Sequence, residues 1–171
     1  ETNVLSGRTI KNGRELSVHM EKEQSIREKL LGTWKLASFT GTDEAGTTTH
    51  IMGEDATGFI CYSPDGWVSV QILRSGRPRY SIPDTELGTD EQTLACARGT
   101  FAYAGRFTVD EEDSIVYHDL EFSLIPNWIG SRQKRYVRFE DGGNTLILSA
   151  DPVRIGADGV RRHTTLRWVR S

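Results

Sequence analysis

Apolar and polar residues alternate along most of this chain, and the alternation sets in at Thr33. From that point, short runs rich in β-branched and aromatic side chains are separated by Gly, Asp, Asn and Pro, the pattern of antiparallel strands and their turns. The runs predict strands at 33–40, 58–62, 67–73, 100–109, 115–124, 133–139, 145–150 and 163–170. About eight strands with short connections are most simply arranged as an all-β fold, a closed antiparallel up-and-down β-barrel, because closure leaves no strand edge exposed. Ahead of the strands, residues 21–31 are good helix formers with Ile26 and Leu30 on one face, and Gly32 ends a short N-terminal helix. Residues 1–20 show neither period and are expected to form an irregular extension before a barrel domain spanning 21–171.

The clearest hairpin turns at Ser63-Pro64-Asp65-Gly66, where Pro second and Gly fourth suit a type I turn. Pairing outward from Tyr62 and Trp67 puts Phe59, Cys61, Val68 and Val70 on one face and Tyr62, Trp67, Ser69 and Gln71 on the other. Residues 74–93 read as a long connection of the kind that serves as a lid or binding loop, with a helical turn expected within 90–98.

A length of 171 residues suits one domain. No apolar run approaches the roughly 20 residues of a membrane helix. The net charge of −3 and isoelectric point near 5.8 supply no field for a polyanion, so neither membrane nor nucleic acid is an expected partner. Cys61 and Cys96 lack the spacing of a zinc or redox motif and are expected as reduced thiols. Without a cationic stretch followed by an apolar segment, cytoplasmic residence is the default expectation. No histidine cluster at ligand spacing, Gly-rich phosphate loop or Gly-x-Ser-x-Gly elbow occurs, so no metal, cofactor or serine-hydrolase chemistry is expected.

Gly32-Thr33-Trp34, after a short helix, resembles the Gly-x-Trp signature of lipocalins, and Arg170 resembles its usual partner. The resemblance implies that Trp34 and Arg170 close one barrel end by cation–π stacking. Three further segments are similar to the bacterial and fungal lipocalin-like domain family: Gly58 to Gly66 with Ser69-Val70-Gln71, Ala102-Tyr103-Ala104-Gly105, and His118 through Pro126-Asn127-Trp128-Ile129-Gly130 to Gln133 and Arg135. Together they cover the chain from about Leu30 to its end. They imply a barrel with an internal cavity, without supplying a reaction.

Within that frame, alternation selects the inward residues. On 115–124, Val116, His118, Leu120, Phe122 and Leu124 share a side; on 133–139, Gln133, Arg135, Val137 and Phe139; on 100–109, Phe101, Tyr103, Gly105 and Phe107. The mixed face of Trp34, Leu36 and Ser38, placed inside by the lipocalin likeness, argues that Tyr62, Ser69 and Gln71 line the cavity too. The aliphatic hairpin face would then be covered by the helix or a second copy in a homodimer. Asn127 and Trp168 complete the expected lining. Apolar walls with scattered polar points suit a small, largely apolar aromatic or polyketide-like molecule. Three readings stay open: binding alone; an isomerase, cyclase or dehydratase with His118 as acid or base and Tyr103 or Arg135 stabilising an oxyanion; and a barrel filled by its own side chains.

Overall fold

Each strand pairs antiparallel with its neighbours around a ring that closes on itself. The computed structural model describes residues 10–11, 14–15, 24–80, 88–156 and 158–171. Its elements are β1 (Ile10–Lys11), β2 (Arg14–Glu15), α1 (Ile26–Leu30), β3 (Gly32–Thr42), β4 (Thr48–His50), β5 (Thr57–Tyr62), β6 (Trp67–Leu73), α2 (Asp90–Arg98), β7 (Thr100–Asp110), β8 (Ile115–Ser123), β9 (Arg132–Glu140), β10 (Thr145–Arg154) and β11 (Arg161–Arg170). In the main sheet the order is β11-β10-β9-β8-β7-β6-β5-β3-β4, and β11 also pairs with β3. Eight strands therefore form a closed barrel, with β4 flanking the far end of β3. The expected fold holds, and an eight-stranded ring is of the size that can hold one small ligand. Within the expected irregular extension, β1 and β2 form a two-residue ladder; most of that extension lies outside the described residues.

Helix α1 is shorter than the 21–31 expected because Ser25 caps it. The Ser25 hydroxyl accepts from the Glu28 amide at 3.1 Å, and the Glu28 carboxylate accepts from the Ser25 amide at 2.9 Å, a reciprocal capping box. Glu111, from the β7–β8 turn, accepts from the amides of Ile26 and Arg27 at 2.7 and 3.0 Å, using the orphan donors of the first turn. At the other end of α1, Arg170 donates to the carbonyls of Lys29 (2.7 Å) and Leu31 (3.2 Å), and the Trp34 indole donates to Leu30 (2.8 Å). The Arg170 guanidinium lies 4.0 Å from the centre of the Trp34 ring. One side chain thus caps a helix and covers the ring that plugs this end of the barrel. Arg170→Ala should lower stability by about 1–2 kcal/mol, read as a shift in urea midpoint, with Arg170→Lys recovering only part because an ammonium lacks the planar fork.

Three local irregularities decide which side chains face inward. The Ser63–Gly66 turn closes as expected, Gly66 donating to the Ser63 carbonyl at 3.0 Å, but Ser63 itself pairs with Trp67 at 2.9 Å and Gly66 takes a φ of 90°. One extra residue in the connection moves the register by one, so Tyr62 faces Val68 rather than Trp67. The inner face becomes Ile60, Tyr62, Val68, Val70 and Ile72, all buried, while Ser69 and Gln71 turn outward. The aliphatic face is therefore covered by the barrel itself, and the argument for a second copy to cover it lapses. On β8 a bulge places Glu121 between the residues paired with Ala104 and Gly105, which inverts the alternation beyond it. Phe122, expected inside, is 62% exposed and lies against Trp67 on the outer wall. The third irregularity, a bulge at Ala37 on β3, brings Phe39 inside in place of Ser38.

Candidate functional site

Barrel closure brings side chains of β5, β7 and β8 into one buried hydrogen-bonded chain. His118 on β8 pairs with Phe107 on β7 and Gln133 on β9, and is fully buried. Its Nε2 lies 2.9 Å from the Tyr62 hydroxyl on β5 and its Nδ1 lies 3.0 Å from the Tyr103 hydroxyl on β7. A neutral imidazole has one donor and one acceptor, so the direction of the chain follows from its ends. Tyr62 is fully buried and His118 is its only hydrogen-bond partner among the described residues, so Nε2 is the atom that accepts its proton. The reverse direction would strand that proton at about 1–3 kcal/mol. The assigned order is Tyr62 O–H to Nε2, then Nδ1–H to the Tyr103 oxygen. Tyr103 is left with its own O–H to give elsewhere.

Burial keeps this chain un-ionised. Desolvation, followed by the nearby Arg135 cation, holds the His118 pKa well below the usual 6.5. Desolvation also raises both tyrosines, Tyr62 well above 10, with Arg135 opposing the rise. The linkage has a definite sign. Below about pH 6.5 the unfolded imidazole binds a proton that the folded one refuses, so stability is complete above that pH and falls as pH drops toward the depressed folded pKa. The slope from one such group is at most about 1.4 kcal/mol per pH unit. Urea midpoints compared at about pH 7.5 and 5.5 should fall further in the native protein than in His118→Gln, which can still donate and accept but cannot titrate.

Arg135 on β9 is 9% exposed. It donates to the carbonyl of Lys134 at 2.7 Å, and no carboxylate of a described residue lies within ion-pairing distance. A buried guanidinium without a counter-charge is costly, and most of its five donors remain available.

These groups border a tapering cavity. An inner chamber of about 40 Å³ is lined by Tyr103, Gln133, Arg135, Thr164 and Trp168 as its polar members and by Phe39, Ile60, Val70, Phe101, Leu148 and Leu166 among its apolar ones. It meets a vestibule of about 1020 Å³ at the open end of the barrel, and Phe101, Trp128, Gln133, Val153 and Ile155 border both. The Trp168 indole nitrogen is fully buried and has no hydrogen-bond partner. In the vestibule stand Arg74, Arg98 and Arg154. Among the described residues lining either chamber there is no Asp, Glu, His, Lys or Cys.

The structure brings Phe101, Tyr103, Gln133, Arg135 and Trp168 together at this cavity as expected. Leu120, Phe107 and Tyr62 are buried inside the barrel but behind its wall, Phe107 edge-on to Tyr62 at 4.9 Å. Ser69, Gln71 and Phe122 belong to the outer surface, for the register and bulge reasons given above. Asn127 is exposed on the short 3₁₀ turn Pro126–Trp128, and its neighbour Trp128 faces the cavity instead, edge-on to Phe101 at 5.5 Å. His118 has both ring nitrogens occupied and does not reach the cavity, so it can act there only through Tyr103. Sequence reasoning missed Trp128, Thr164 and the orphan donor of Trp168; the aromatic in a Pro-Asn-Trp turn was the one available signal. Cys61 and Cys96 are free thiols. No group of described residues has the make-up of a metal site, and none of their helices is long and apolar enough to cross a membrane.

A closed eight-stranded barrel plugged by a tryptophan under an arginine, with a cavity at the other end, defines a lipocalin-like architecture. The family model described as lipocalin-like domain matches residues 31–171, and the chain belongs to that family. Among curated proteins it is similar to the 4'-hydroxy-3'-methoxypropiophenone carrier protein ppsC of Aspergillus oryzae, at 36% identity over 108 residues, covering 59% of this chain and 94% of that protein. Among solved structures, EF1p2_mFAP2b bound to DFHBI aligns with a TM-score of 0.41 at 15% identity, covering 84% of this chain and 94% of that one. The siderocalin Ex-FABP aligns with a TM-score of 0.33 at 11% identity, covering 84% and 74%.

Proposed function

We propose that this protein is a carrier that holds one small aromatic ketone in its barrel, with the ring in the vestibule against Phe101 and Trp128 and a polar end reaching Arg135. The observation that carries the reading is the tapering cavity itself: aromatic walls around a buried, uncompensated guanidinium. Apolar walls with a few convergent polar groups are the usual make-up of a small-molecule site. The name of the Aspergillus oryzae relative supports an aryl ketone as the cargo. Carriage is favoured over conversion because the described lining offers no carboxylate, imidazole or thiol to take or return a proton.

Titration with 4'-hydroxy-3'-methoxypropiophenone, followed by quenching of tryptophan fluorescence, tests this, since Trp128 and Trp168 both border the cavity. Saturable quenching at one site per chain, with the compound recovered unchanged by mass spectrometry after long incubation, is the expected result. Absence of both quenching and calorimetric heat up to about 1 mM, where binding would be worth only about 4 kcal/mol, would remove this ligand class. Conversion of the compound would replace the carrier with an enzyme.

A further inference from the structure

We infer that the inner chamber is a donor-rich socket that admits the cargo by an unprotonated oxygen, so that a ketone carbonyl goes in first and any hydroxyl on the ring stays toward the mouth. The inference deepens the carrier reading and rests on it.

Three donor side chains border the chamber, and each has a proton to spare for its own reason. The Trp168 N–H has no partner despite full burial. The Arg135 guanidinium donates to the Lys134 carbonyl, also reaches the Tyr103 oxygen, and faces no carboxylate among the described residues, which leaves others of its five N–H groups to give. Tyr103 is made a donor at a distance: the Tyr62 proton fixes the His118 tautomer, the His118 Nδ1–H occupies the Tyr103 oxygen, and the phenolic proton is left for the cavity. Buried donors without acceptors are rare in folded proteins, and the orphan Trp168 N–H beside two donors with protons to spare calls for an acceptor from outside the chain.

Size sharpens the point. A chamber of about 40 Å³ takes only the tip of a ligand, whereas the vestibule takes a substituted ring. A hydroxyl pushed into the tip would set its proton against three donors, with only Gln133 and Thr164 there able to accept. A carbonyl oxygen brings two lone pairs and no proton. The Tyr62–His118 pair is in this sense a positioning device: neither residue touches the cargo, and together they fix which way Tyr103 points its proton.

The test uses the full chain and three probes: 4'-hydroxy-3'-methoxypropiophenone, its analogue with the carbonyl reduced to methylene, and its ether with the phenol methylated. The methylene analogue should bind about tenfold or more weakly, because it leaves the donors unpaired, while the methyl ether should bind within about threefold of the parent. The carbonyl stretch of the bound, isotopically labelled ketone should move to lower frequency in the native protein, and move less in Tyr103→Phe and in His118→Phe, which frees the Tyr103 proton to turn away. The native measurement needs no variant to fold. If all three probes bind alike, or the methyl ether alone is rejected, the donor-rich socket is wrong and the carrier reading stands. If none binds, the ligand class fails and the socket with it.

Discussion

Arg135→Met should make the barrel more stable and a poorer binder. The guanidinium is 9% exposed and has no counter-charge among the described residues, so the folded state bears the cost of holding a cation out of water. Methionine has a similar length and a flexible, apolar side chain that fills irregular space. Replacement of a buried ionic group by apolar atoms of similar volume is often stabilising by about 1–4 kcal/mol, which urea denaturation would register as a higher midpoint at unchanged slope. On the proposed reading the same change deletes a charge-assisted hydrogen bond to the cargo, worth about 1.5–3 kcal/mol, or roughly ten- to a hundredfold in Kd. The opposed signs are the diagnostic feature. A structural arginine would lose stability on removal, and an adventitious one would leave affinity unchanged.

Gly105→Ala is expected to be the most damaging small substitution in the barrel. A Cβ at Gly105 would stand 1.9 Å from the carbonyl oxygen of Asp119 and 2.9 Å from the Cα of Leu120, both backbone atoms of the paired strand. Backbone cannot step aside as the tip of a flexible side chain can. The bulge at Glu121 depends on this close approach, so β7 and β8 would have to part locally at a cost of about 3 kcal/mol or more. Thermal unfolding of purified Gly105→Ala beside Ala104→Gly, which merely removes a methyl group next door, separates the steric effect from a general loss of strand propensity. Gly105 lies between Tyr103 and Phe107 on the inner face, so whatever fold survives should also bind cargo poorly.

Much of this was legible before any coordinates. Alternation of apolar and polar residues located all eight barrel strands, since a half-buried strand must repeat every second residue. It also turned His118, Tyr103 and Arg135 inward, and the Gly32-Thr33-Trp34 motif with Arg170 located the plugged end. What alternation cannot carry is its own interruption. A bulge or a three-residue hairpin connection changes the count by one, and every side chain beyond it moves to the other face. That single kind of event accounts for Ser69, Gln71 and Phe122 on the outer wall and for Phe39 in place of Ser38. The preference for Trp128 over Asn127 lies in a 3₁₀ turn, where no period of two applies. The tautomer of His118 depends on Tyr62, fifty-six positions away in the chain, and became readable only when the two met.

The plug of Trp34 under Arg170 also bears on traffic. Among the described residues, a vessel sealed at its base opens at the vestibule, so a bound molecule would leave by the route it entered, past Trp128 and the arginines of the rim. On the carrier reading proposed above, whatever hands the molecule over and whatever receives it would have to address that same rim, one after the other and never together.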